Sequence, residues 1–122
     1  MANILVVDDS AFARSNLRRT LTGGGHQVWE ADSGAKALEM VASNIPDVIT
    51  LDLLMPGMNG QETLNALRPL CPQAVIIVIT ADIQTLTRQE LLSAGANVFL
   101  NKPVNAADLL RTIQEHIPPP SA

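Results

Sequence analysis

Residues 4–10 read ILVVDDS, and how this stretch is parsed decides the rest of the chain. Four apolar residues, two of them β-branched valines, suit a strand covered on both faces. Two adjacent aspartates follow at once, and no basic residue comes before Arg14. A buried strand that ends on paired negative charges points to chemistry at its carboxyl end.

Outward from this stretch, short apolar runs alternate with amphipathic segments five times. The strand candidates are NILVV (3–7), QVWEA (27–31), DVITLD (47–52), AVIIVIT (74–80) and NVFLN (97–101). Five helix candidates lie between and after them. The first, 10–22, has apolar positions Phe12, Leu17 and Leu21, and the second, 34–43, has Leu38, Val41 and Ala42. The third, 60–68, carries Leu64 and Leu67, and the fourth, 83–94, carries Ile83, Leu86, Leu91 and Leu92. The last, 105–117, aligns Leu109, Leu110, Ile113 and Ile117 on one face. Gly23-Gly24-Gly25 ends the first helix and Ser33 caps the second. Pro46 and Pro72 precede strands, and Gly95 follows the fourth helix. This (βα)5 alternation predicts one α/β domain over 1–117, with a parallel sheet and helices on both faces. The tail PPPSA (118–122) reads as a flexible Pro-rich end.

Composition excludes several classes. The chain has 122 residues, enough for one domain, and only 2% are aromatic, so the core must be aliphatic. Net charge is −4, from 12 acids against 8 bases, which argues against a direct nucleic-acid partner. Cys71 is the single cysteine, so no intrachain disulfide forms and a reducing compartment fits. MANILVVDD lacks the basic lead and long apolar stretch of a signal peptide, and AVIIVI (74–79) is too short to span a bilayer. The expectation is a cytoplasmic domain with no membrane insertion.

In open parallel sheets ligands bind beyond the carboxyl ends of the strands, at the switch in strand order. Asp8 and Asp9 follow the first strand, Asp52 ends the third, Thr80 ends the fourth, and Lys102 with Pro103 follows the fifth. With strand order 2-1-3-4-5 the three aspartates converge, flanked by a hydroxyl and an ammonium. Three close carboxylates repel unless a cation neutralises them, and hard oxygen ligands select Mg²⁺ or a similar divalent ion. The set suits a carboxylate that accepts a phosphoryl group. Singly, each residue has a plainer explanation: Asp9 or Ser10 as a helix cap, Asp52 as a loop acid, Thr80 as an ordinary β-branched strand residue. All five at successive strand ends are harder to dismiss. Arg14, Arg18 and Arg19 read as a solvated face of the first helix, with a docking patch as the minority reading. His26 and His116 read as structural, and Trp29 packs on the second strand.

Five stretches, ILVVDDS, GHQVWEADSGAKAL, DVITLDLLMPGMNG, IIVITA (76–81) and GANVFLNKP, resemble the receiver domain of two-component response regulators. The likeness is greatest to the stand-alone type that includes the chemotaxis response regulator. It covers essentially the whole chain and implies a flavodoxin-like fold. It implies Asp52 as phosphoacceptor, served by a sensor histidine kinase or phosphotransfer protein. It further implies Mg²⁺, with Mn²⁺ as substitute, held by Asp9, Asp52 and the backbone carbonyl of Leu54, with Asp8 acting mainly through water. Lys102 would bind the phosphoryl oxygen or pair with Asp52, and its bond to Pro103 would be cis. Thr80 and Phe99 would form the switch, and Leu54 and Asp82 would flank the path of the hydrolytic water. With an apolar side chain at Leu54, dephosphorylation should be no faster than is typical of the family.

Rival functions fit less well. An aspartyl-phosphate phosphatase commonly has a second acid two residues after the nucleophile, where this chain has Leu54. A flavin or nucleotide binder needs a phosphate-cradling loop after the first strand, where Asp8 and Asp9 would repel phosphate. A receiver-like scaffold that is never phosphorylated is disfavoured by the complete acidic set. The expected output is therefore contact with a downstream protein, a phosphatase among the candidate partners, by a monomeric domain that is a signalling phosphoacceptor and not an enzyme.

Overall fold

The computed structural model describes residues 2–52, 60–80 and 95–116. Within them the chain runs β1 (Asn3–Val7), α1 (Ala11–Gly23), β2 (Gln27–Ala31), α2 (Gly34–Ser43), β3 (Val48–Leu51), α3 (Gly60–Leu70), β4 (Val75–Thr80), β5 (Val98–Asn101) and α4 (Ala106–His116). The helix expected over 83–94, Ile117 and the tail lie outside the described residues.

All strand pairs are parallel, in order β2-β1-β3-β4-β5. The unbroken apolar runs are explained by the pleat, which sends successive side chains to opposite faces. Leu5, Val7, Ile49, Leu51, Ile76 and Val78 face one way, against Ala37 and Val41 of α2 and Leu64 and Leu67 of α3. Ile4, Val6, Val48, Ile77 and Ile79 face the other, against Leu17 and Leu21 of α1 and Leu109 and Ile113 of α4. Each strand therefore feeds two cores. No helix among the described residues is long and apolar enough to cross a membrane.

Local signals set the boundaries. Ser10 and Ser33 cap α1 and α2, their hydroxyls accepting from the amides of Ala13 and Lys36. Gly25, at φ 89°, turns the chain out of α1 into β2. At the opposite end of the sheet from the aspartates, Arg68 of α3 donates to the carbonyls of Gly95 (3.0 Å), Cys71 (3.2 Å) and Ala74 and to Oδ1 of Asn97 (3.2 Å). It ties α3 to the starts of β4 and β5. Gly95, at φ +115°, leaves no room for a Cβ beside that side chain.

Two assignments of helix faces need correction. Phe12, counted among the apolar positions of the first helix, is 77% exposed. At about 100° per residue it falls on the opposite side of the helix from the buried Leu17 and Leu21. In α2 the buried positions are Gly34, Ala37 and Val41, while Ala42 is exposed, because the face is set by the 3.6-residue period and not by apolar character alone.

One core group lacks a partner. Thr50 is buried on β3, flanked in register by Val6 and Ile77, and its hydroxyl has no hydrogen-bond partner among the described residues. An unsatisfied buried hydroxyl costs about 1–3 kcal/mol. Thr50→Val should therefore raise the urea midpoint, stabilising the domain by about 1 kcal/mol. An unchanged or lower midpoint would mean that the hydroxyl finds a partner in solution.

Candidate functional site

The register of the sheet builds the site. Val7 pairs with Leu51 across β1 and β3, so the next residues, Asp8 and Asp52, emerge side by side at the switch point. Their backbones extend the ladder: the Asp8 amide donates to the Ala31 carbonyl (3.1 Å) and the Asp52 amide to the Val7 carbonyl (3.0 Å). Both residues are buried, Asp8 at 1% exposure and Asp52 at 6%.

Lys102 reaches this pair from the end of β5. Its Nζ lies 2.9 Å from Asp8 Oδ2 and 3.0 Å from Asp52 Oδ2. The ammonium is thus shared between two carboxylates, where the sequence suggested pairing with Asp52 alone. Burial works against its charge, but the hydrogen bonds and negative charges of Asp8 and Asp52 outweigh that and raise its pKa above the usual lysine value. It is cationic at neutral pH. The Lys102–Pro103 peptide is cis.

The second carboxylate oxygen of Asp8 accepts from the Ser10 amide (2.9 Å). Asp9 differs: it is exposed and has no hydrogen bond or ion pair among the described residues. Carboxylate oxygens of Asp8, Asp9 and Asp52 lie within 4.8 Å of one another. A cluster of hard oxygens, one of them on an outward-facing, unpaired carboxylate, fits a divalent cation that retains part of its water shell.

Other expected site residues fall around this centre. Thr80 ends β4, paired in register with Asn101, and its side chain lies outside the described set. Phe99 sits in β5 opposite Val78, half-buried against the core beneath α2 and α3. Leu54 and Asp82 lie outside the described residues.

The structure corrects the expectation that Arg14 belongs to a solvated face. Its side chain is 17% exposed. It donates to the main-chain carbonyl of Asp8 (2.6 Å) and pairs with Glu30 of β2 (3.3 Å). Arg18 also pairs with Glu30. The available signal was Glu30 itself, the lone acid in the strand QVWEA, beside a helix with three arginines. Above the lysine, a cavity of about 420 Å³ is lined by Phe12, Asn16, Leu17, Ile79, Lys102 and Val104, among others.

Fold and site together define a doubly wound α/β domain with an acidic, lysine-bridged pocket at its switch point. The model of the response regulator receiver domain matches residues 4–114, and the chain belongs to that family. Receiver domains are the phosphoacceptor signalling domains of two-component systems; they bind Mg²⁺ at the acidic pocket and interact with histidine kinases or phosphotransfer proteins. The chain is similar to response regulator MprA of Mycobacterium ulcerans, with 42% identity over 107 residues covering 88% of this chain and 46% of that one. It spans about half the length of the curated relatives it matches. Its structure is similar to chemotaxis protein CheY4 of Vibrio cholerae, with a TM-score of 0.89, 34% identity and coverage of 96% and 99%. It also resembles a Burkholderia pseudomallei response regulator solved with a phosphorylated aspartic acid and a calcium ion. There the TM-score is 0.84, with 27% identity and coverage of 94% and 72%.

Removing the lysine tests its electrostatic role. Lys102→Met leaves two buried carboxylates facing each other. Breaking a buried pair costs about 3–5 kcal/mol, and partial exposure of the ammonium reduces this to about 2 kcal/mol here. The urea midpoint should fall, and added Mg²⁺ should restore part of the loss. An unchanged midpoint would show that Lys102 does not offset the repulsion.

Proposed function

We propose that this domain is a phosphorylation switch in which Asp52 takes a phosphoryl group from the phosphohistidine of a sensor kinase or phosphotransfer protein. The observation that supports it most is the Lys102 ammonium shared between the buried carboxylates of Asp8 and Asp52. An oxygen of Asp52 attacks phosphorus in line. The bond from phosphorus to the donor imidazole breaks, and its electron pair stays on that nitrogen. Asp9, Asp52 and the Leu54 carbonyl, with Asp8 mainly through water, would hold Mg²⁺ or Mn²⁺, which would supply positive charge to offset that of the transferring group. Lys102 follows the phosphoryl oxygens, Thr80 is drawn toward them, and Phe99 turns inward. The face built from the segment 83–94, β5 and α4 then changes its affinity for a downstream protein by shifting a two-state population.

The donor helix would enter over the cavity beside Phe12. That cavity opens onto Lys102, and a large exposed aromatic at its rim is a natural anchor for a protein partner. Cytoplasmic location follows from the partners proposed. A chemotaxis role would follow the likeness to CheY4. Dephosphorylation is slow because the apolar Leu54 side chain offers the hydrolytic water no hydrogen bond; Asp82 is the position where a dedicated phosphatase would act.

Incubation with acetyl phosphate and Mg²⁺, followed by intact-protein mass, should add one phosphoryl group to wild type and none to Asp52→Asn. Equal labelling of both would overturn the assignment. In the same time course, a phosphoryl lifetime of only a few seconds would contradict the role given to Leu54. Phe12→Ala should slow transfer from a histidine-phosphorylated protein donor more than transfer from acetyl phosphate. An equal effect on both would remove Phe12 from the docking surface.

A further inference from the structure

Given the receiver function proposed above, we infer that Arg14, braced by Glu30, is a positioning residue that holds the peptide plane between Asp8 and Asp9 and thereby sets the affinity of the acidic pocket for its cation. Each group of this turn is held from a different direction. The Asp8 amide is fixed by Ala31 of β2, and its carboxylate by the Ser10 amide and Lys102. The carbonyl of Asp8 belongs to the same peptide plane as the amide of Asp9, and its described side-chain partner is the Arg14 guanidinium at 2.6 Å. Rotation of that plane would swing Asp9, whose carboxylate has no hydrogen bond or ion pair among the described residues.

The placement of Arg14 is otherwise unfavourable. It sits in the first turn of α1, where the helix dipole disfavours a cation, and that turn has no acidic residue. Glu30 on the neighbouring strand compensates, and it receives Arg18 as well. The guanidinium fork suits this task, since it serves a carbonyl and a carboxylate at once from one rigid plane. A lysine offers a compact point charge and cannot reproduce both contacts in the same geometry.

Electrostatics and positioning predict opposite signs, which makes the inference decidable. By Coulomb's law alone, removing a cation near three carboxylates should strengthen Mg²⁺ binding. Loss of positioning should weaken it, by about tenfold if Arg14 acts as outer-shell partners of metal ligands do. Mg²⁺ binding to the unphosphorylated domain, measured by isothermal titration calorimetry, reads this without any phosphotransfer. Arg14→Met is expected to bind Mg²⁺ about tenfold more weakly than wild type, and Arg14→Lys to fall between the two. Arg18→Met, which removes the same charge from the same glutamate without touching Asp8, should show no weakening. Unchanged or tighter binding in both Arg14 variants would overturn the inference, as would equal weakening in Arg18→Met. Asp9→Asn separates the two levels: if it binds Mg²⁺ as wild type does, the metal site assigned to the receiver function fails as well. If Asp9→Asn loses binding while both Arg14 variants keep it, only the positioning role falls. Should Arg14→Met fail to fold, Arg14→Lys carries the test.

Discussion

Everything at the carboxyl end of the sheet answers to the repulsion between Asp8 and Asp52. Parallel pairing of β1 with β3 sets these two carboxylates on adjacent strands, and both are buried. Neither can be moved without shifting a strand. The compensating charge comes from Lys102, 94 residues from Asp8 in sequence and carried by β5, with β4 lying between β5 and β3. The ion triad therefore closes only once β1, β3, β4 and β5 are in place. Buried pairs of this kind contribute little net stability, because desolvation consumes most of the Coulomb gain. Their value here is a pocket of fixed charge whose occupancy is felt by β1, β3 and β5 together.

That rigidity comes from the two cores on either side of the sheet. Strands NILVV and VITL contribute alternate residues to both, so each is locked from two directions. This much was legible in the sequence, because an unbroken aliphatic run of four or five residues between helical patterns has few other solutions. The strand order was also legible, since the positions of the aspartates, Thr80 and Lys102 make chemical sense only when β1 and β3 are neighbours. Strand ends agreed with the expected runs to within one residue. Charged or polar residues at the ends of the runs mark where apolar cover stops.

What escaped the sequence was the direction of individual side chains. Phe12 is apolar, yet it points to solvent because it stands five and nine residues before Leu17 and Leu21, about 140° and 180° around the helix from them. Arg14 is charged, and charge on a helix ordinarily means solvent. Here a glutamate on the adjacent strand and a strand-end carbonyl supply the partners that make burial tolerable. Lys102, expected to pair with Asp52 in the absence of phosphate, is shared between Asp52 and Asp8. The two carboxylates are nearly equidistant from the ammonium, at 2.9 Å for Asp8 and 3.0 Å for Asp52.

This sharing bears on how a phosphoryl group would change the molecule. Three carboxylates and one ammonium leave the pocket with a net charge of about −2, which a divalent cation brings close to neutral. Converting Asp52 to its acyl phosphate replaces one negative charge by about −1.5 to −2 concentrated on phosphoryl oxygens. Lys102 then has a stronger attractor on one side than on the other, and an equal division between positions 8 and 52 is no longer its minimum. Movement of the lysine loads the end of β5 directly, two residues beyond Leu100 and three beyond Phe99. In the proposed switch Phe99, half-buried against the α2–α3 core, would respond to a small shift of its strand. In the proposed switch, the signal is therefore first a redistribution of one ammonium between two carboxylates. Repacking at Phe99 is its consequence.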